Sequence, residues 1–103
     1  MQTIDFHPDY LAPVRAGTKT TTVRYRETIT PGRATLVFAG KETTSKVAAT
    51  VTEVVPRRLS DLTDADARAD GFADRAELVE RLRALHYPDM PDDADITVVR
   101  FTV

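Results

Sequence analysis

Tyr10, Leu11 and Val14 recur at helical spacing between His7 and Ala16, and Gly17 stands where a left-handed C-terminal cap would fall. The spacing predicts a short first helix. Pro8 suits its opening turn, and Pro13 limits it to about two turns. Thr20-Thr21-Thr22-Val23-Arg24-Tyr25 is rich in β-branched residues and predicts a strand entered directly from that helix. Pro31-Gly32 marks a turn, Ala34 to Ala39 an apolar strand, and Gly40-Lys41 the turn that closes it. Lys46 to Pro56 alternates, with Val47, Ala49, Val51 and Glu53 on one face and Ala48, Thr50, Thr52 and Val54 on the other. Both faces are partly apolar, as in a barrel strand. Ile96 to Val103 predicts a last strand, for about four or five in all.

A helical insert separates the last two strands. Thr63-Asp64-Ala65-Asp66 has the form of a capping box opening a short helix that stops at Gly71, and Asp74-Arg75-Ala76-Glu77 opens a longer one. In the second, Leu78, Val79, Leu82 and Leu85 share one face, a stripe that predicts core packing, while Glu80, Arg81 and Arg83 take the other. Tyr87-Pro88 ends it, and Asp89 to Asp95 is an acidic loop. The elements together predict a single α+β domain over residues 1–103, a small barrel closed by helices.

With 42% apolar and 29% charged residues over 103 positions, the chain has the composition of one folded core. It contains no cysteine, which excludes disulfides, thiolate nucleophiles and zinc-thiolate sites, and fits a cytoplasmic protein. Met1 to Phe6 lacks the features of a secretory signal, and no stretch approaches the roughly 18 apolar residues of a membrane span. Net charge is −2, but the charges segregate. From Arg15 to Arg33 five cations face Glu27 alone, a balance of +4; from Asp61 to Asp95 eleven carboxylates face four arginines, a balance of −7. Either the basic segment is a focused binding patch, or the two segments pair across the fold.

Gly17-Thr18-Lys19-Thr20-Thr21-Thr22-Val23-Arg24 reads G-x-K-x-x-T-x-R at the junction of helix and strand. With Leu62 to Phe72, Glu77-Leu78, Tyr87-Pro88 and the closing Val98-Val99-Arg100-Phe101, it resembles the ASCH domain family of the PUA-like superfamily over nearly the whole chain. The resemblance implies a PUA-like β-barrel of about five to six strands with two to three helices. It also implies a cleft for RNA or a modified nucleoside. One branch of such proteins hydrolyses the amide of N4-acetylcytidine with a lysine, a threonine three residues later and a glutamate in the helical insert. Lys19 and Thr22 match the first two, and Asp70, one methylene shorter, falls where the glutamate would be.

The resemblance thus implies catalytic roles for Lys19, Thr22 and Asp70; Gly17, Arg24 and Arg26 stand beside them as candidate ligand-binding residues, with a helix cap for Gly17 and a solvated pair facing the acidic insert for the arginines as the alternatives. A threonine hydroxyl needs a base to take its proton, and Lys19 serves only if burial or Arg24 lowers its pKa. Positions 19 and 22 would point to opposite faces of a regular strand, so Lys19 must sit in the preceding turn. Arg24 and Arg26, two apart, would share a strand face and grip a phosphate or a base. The alternative is a non-catalytic RNA-binding module in which Lys19, Arg24 and Arg26 meet phosphates. His7 and His86 are assigned to a helix start and a helix end, without the clustered partners of a metal site. Asp89, Asp92, Asp93 and Asp95 lack the glycine and glutamate of a calcium loop. No P-loop or dinucleotide fingerprint is present, so no cofactor is expected. A modified nucleoside or RNA is the expected partner of a chain taken as a monomer.

Overall fold

The computed structural model describes all 103 residues. Strand β1 (Gln2–Phe6) leads through a 3-10 turn (Pro8–Tyr10) into helix α1 (Leu11–Ala16), then β2 (Thr21–Tyr25), β3 (Gly32–Ala39) and the long β4 (Thr44–Arg58). A second 3-10 turn (Leu59–Asp61) opens the insert, which holds α2 (Asp64–Ala69) and α3 (Arg75–Leu85) before β5 (Asp95–Thr102). The strands form one sheet in the order β1-β3-β4-β5-β2, curled into a half-barrel and antiparallel except where β1 lies along β3.

The helical insert follows the expected local rules. Thr63 and Asp66 form the reciprocal capping box at α2, and the Asp74 side chain accepts from Glu77 N at the start of α3. Leu78 and Leu82 are buried as the stripe predicts. Leu85 is not: at 38% exposure on the last residue of α3, it lies past the core that its predecessors cover.

Two strand expectations need correction. The pattern at the N-terminus does not announce β1, because only Ile4 and Phe6 turn inward, yet their register against Leu36 and Phe38 places them at the core's centre. In β4 the expected alternation breaks at a bulge between Val51 and Glu53. Val47, Ala49 and Val51 face the core before it, and Val54 packs on the same core after it. One extra residue resets the parity, which is why both faces of this segment look apolar in sequence.

The buried apolar side chains form two clusters. One joins Ile4, Phe6, Val14, Leu36, Phe38, Val51, Val99 and Phe101 with Ala34 and Ala49, and in it the Phe6 ring stands 5.1 Å from Phe38 and 5.8 Å from Phe101. The other joins Leu59, Leu62, Ala67, Leu78, Leu82, Met90 and Ala94 of the insert to Val23 of β2 and Ile96 of β5. Each fully buried leucine, valine or phenylalanine contributes about 1.5–3 kcal/mol. No helix is long and apolar enough to cross a membrane.

Candidate functional site

The same backbone device sets Lys19 and Asp70 in place. At the end of α1, Gly17 N donates to Val14 O and Thr18 N to Pro13 O, with Gly17 at φ 79°. At the end of α2, Gly71 N donates to Arg68 O and Phe72 N to Ala67 O, with Gly71 at φ 93°. These are paired Schellman caps, and each needs a residue that accepts positive φ. Asp70 stands immediately before one cap glycine and Lys19 two residues after the other. Thr20 N then donates to Ala69 O at 2.8 Å, tying the start of β2 to the end of α2. A side chain at Gly71 would meet Lys19 Cβ at 3.4 Å, so the two caps pack directly on each other.

Lys19 and Asp70 are 3% and 2% exposed, and they meet as a buried ion pair in which Lys19 Nζ donates to Asp70 Oδ1 and, at 3.0 Å, to Asp70 O. Asp70 Oδ2 is buried without a hydrogen-bond partner. The Lys19 ammonium also stands 4.7 Å from the Tyr10 ring centroid and 5.6 Å from that of Phe72. Burial pushes the Asp70 carboxyl up to about 6, against the opposing pull of Lys19 and, more weakly, Arg24 and the Val23 backbone. Burial also draws Lys19 below its ordinary value, with Asp70 pulling it back up. Both shifts favour the neutral forms, bringing an uncharged amine and acid closer in energy to the ion pair.

Thr22 and Arg24, two apart on β2, share a face. Arg24 Nε donates to Thr22 Oγ1 at 3.0 Å, Arg24 Nη1 donates to Glu27 Oε1 at 3.2 Å, and the guanidinium lies 4.8 Å from the Phe6 ring centroid. Tyr87 donates its hydroxyl to Glu27 Oε2. Burial, with the Glu27 hydrogen bond adding to it, pushes the Tyr87 phenol up to about 12.

Lys19, Thr22, Arg24 and Asp70 line one cleft, closed in by Phe6, Tyr10, Phe72 and Tyr87. Lys19 occupies the turn before β2, so it and Thr22 converge although they would diverge on a regular strand. The cleft has a cavity volume of about 20 Å³ to the centre of a water-sized sphere, room for a water but not for a base.

Two of the candidate residues lie outside the cleft. Gly17 is exposed and acts through its cap. Arg26 does not share a face with Arg24: β2 ends at Tyr25, Arg26 turns left-handed at φ 58°, and its exposed guanidinium rests 4.9 Å from the Tyr25 ring centroid. His7 and His86 do sit at a helix start and a helix end, yet both also line the cleft. Burial, with Arg24 nearby, holds His86 below its ordinary pKa. Sequence spacing gave no sign of this convergence. Glu27 did carry a signal, as the one carboxylate of the basic segment.

No family model and no curated protein matches this chain. Solved structures do. An ASCH domain from Lactobacillus crispatus superposes with a TM-score of 0.72 at 12% identity, over 99% of this chain and 79% of its own. Hypothetical protein PH0355 gives 0.71 at 14% identity over 98% and 96%, and protein EF3133 from Enterococcus faecalis gives 0.67 at 15% over 99% and 78%. These likenesses, spanning nearly every residue from β1 to β5, show that the chain has the fold of an ASCH domain, a small α+β half-barrel.

Proposed function

We propose that this chain is an ASCH-family amidohydrolase acting on an N4-acylated cytosine nucleoside, with N4-acetylcytidine as the test substrate. The observation that carries the proposal is the burial of Lys19, Thr22 and Asp70 around one cleft, with Asp70 Oδ2 unpartnered and Arg24 Nε bonded to Thr22 Oγ1. Because Thr22 Oγ1 already accepts from Arg24, its own proton is free to be given away. Lys19, once it has passed a proton to Asp70, takes the Thr22 proton as Oγ1 attacks the amide carbonyl carbon. The Arg24 charge beside Thr22 supports the oxyanion. Collapse breaks the C–N bond, the Lys19–Asp70 pair returns the proton to the departing N4 amine, and the acyl group remains on Thr22 as an ester. A water, deprotonated by the same pair, then releases the carboxylic acid and restores Thr22. Aromatic walls at Tyr10, Phe72 and Tyr87 suit a planar base, and Tyr87 must swing aside to admit it.

An RNA-phosphate groove has less support, because Lys19 at 3% and Arg24 at 9% exposure offer little charge to a backbone. The test is incubation of the purified protein with N4-acetylcytidine, with cytidine release followed by chromatography. Turnover that falls at least about 100-fold in Lys19→Ala, Thr22→Ala and Asp70→Asn supports the assignment. A wild-type protein that leaves the amide intact overturns it for this substrate, and salt-dependent RNA binding becomes the next measurement.

A further inference from the structure

Arg24 and Glu27 are three residues apart, a spacing that puts side chains on opposite faces of a continuing strand. Arg26 prevents that. Its left-handed backbone, at φ 58°, ends β2 and turns Glu27 back over the face that carries Thr22 and Arg24. A non-glycine residue in this conformation is uncommon and is retained where its surroundings need the turn. Glu27 then uses both oxygens: Oε1 accepts from Arg24 Nη1 at 3.2 Å, and Oε2 accepts from the Tyr87 hydroxyl, which reaches across from the far end of α3. The Arg24 side chain is 10% exposed and that of Glu27 40%, so the pair is shielded on the arginine side and open to solvent on the carboxylate side. Its planar fork, held at Nη1 by Glu27 and against Phe6, has one orientation in which Nε points at Thr22 Oγ1.

We infer that Glu27 is a positioning residue for Thr22, acting through Arg24, and that the same carboxylate latches Tyr87 over the cleft. The inference rests on the hydrolase reading for its effect on turnover, but not for its effect on Arg24.

Two measurements separate these. The first uses resting, ¹⁵N-labelled protein without substrate and follows the Arg24 Nε–H resonance. The inference expects a slowly exchanging, dispersed signal in the wild type that collapses toward the solvent-exposed position in Glu27→Ala and persists in Glu27→Gln, whose amide oxygen still accepts. An Arg24 signal unchanged in Glu27→Ala overturns it, because Arg24 would then be held without Glu27. The second is steady-state kinetics on N4-acetylcytidine. Glu27→Ala should lower kcat by about 10- to 100-fold, as expected for a misplaced reacting group, and should change KM only as far as the lost Tyr87 latch does by itself. Tyr87→Phe, which cuts only the latch, should act mainly on KM. A Glu27→Ala variant with raised KM and unchanged kcat overturns the positioning role. If the wild type turns nothing over, the hydrolase reading falls and the Arg24 resonance alone decides Glu27.

Discussion

The two hydrophobic clusters are built on different principles. The first draws on β1, β3, β4, β5 and Val14 of α1, and its members follow strand alternation with one reset at the β4 bulge. The second is drawn mainly from the insert, including Met90 and Ala94 in a segment that reads as an acidic loop, and touches the sheet through Val23 and Ile96. The cleft lies where they meet, taking Phe6 from the first and Val23 and Leu82 from the second. Each cluster alone is an apolar core. Charge is buried only at their seam, so the cost of desolvating Lys19, Arg24 and Asp70 is carried by apolar packing on both sides.

The most disruptive way to break this arrangement is to leave one seam charge without its partner. Asp70→Leu should lower stability by about 3–5 kcal/mol, and adding Lys19→Met should recover most of that loss, read as urea midpoints. Strict additivity of the two changes would show that the pair is not coupled. The seam should also reveal itself in pH dependence. The folded chain holds the Asp70 proton more tightly than the unfolded chain, so the stability this group contributes is present below pH 3.8 and lost as pH rises to about 6. Lys19 runs the other way. Its folded pKa is depressed, so stability is regained as pH climbs toward 10.5. Asp70→Asn should erase the acid-side slope in a series of urea titrations.

A matched pair of truncations sharpens the contrast. Leu36 and Leu78 are both fully buried, one in each cluster, and Leu→Ala at either should cost about 2–5 kcal/mol. Only Leu78→Ala loosens the insert that carries Asp70, so it alone should also shift the acid-side slope. The smallest expected effect is Thr63→Ala, which removes the α2 capping box and should cost about 1 kcal/mol, measured by thermal unfolding.

The sequence made some of this legible and hid the rest for physical reasons. Caps and turns are local, so Thr63, Asp74, Gly17 and Gly71 could be read directly. The four strands recognised from sequence have β-branched or apolar runs, while β1 has only Ile4 and Phe6 and is a strand because β3 offers it a parallel edge. The convergence of Lys19 with Thr22 followed from strand geometry once the junction was placed. That His7, His86, Phe72 and Tyr87 complete the cleft depends on how the insert docks, and periodicity carries no information on docking. The positive φ of Arg26, which separates it from Arg24, is likewise a turn without a glycine to mark it.

The tie between Thr20 and Ala69 has a consequence for the order of folding. Lys19 and Asp70 are 51 residues apart in sequence, so their meeting closes a long loop, at an entropic cost that a few sheet contacts formed earlier would reduce. As the chain lengthens from its N-terminus, Lys19 remains a solvated cation until the insert arrives, and its desolvation belongs to a late step. Substitutions at Asp70 should then change the unfolding rate and leave the folding rate nearly untouched, which would make the chemistry of the cleft a late acquisition of the folding chain.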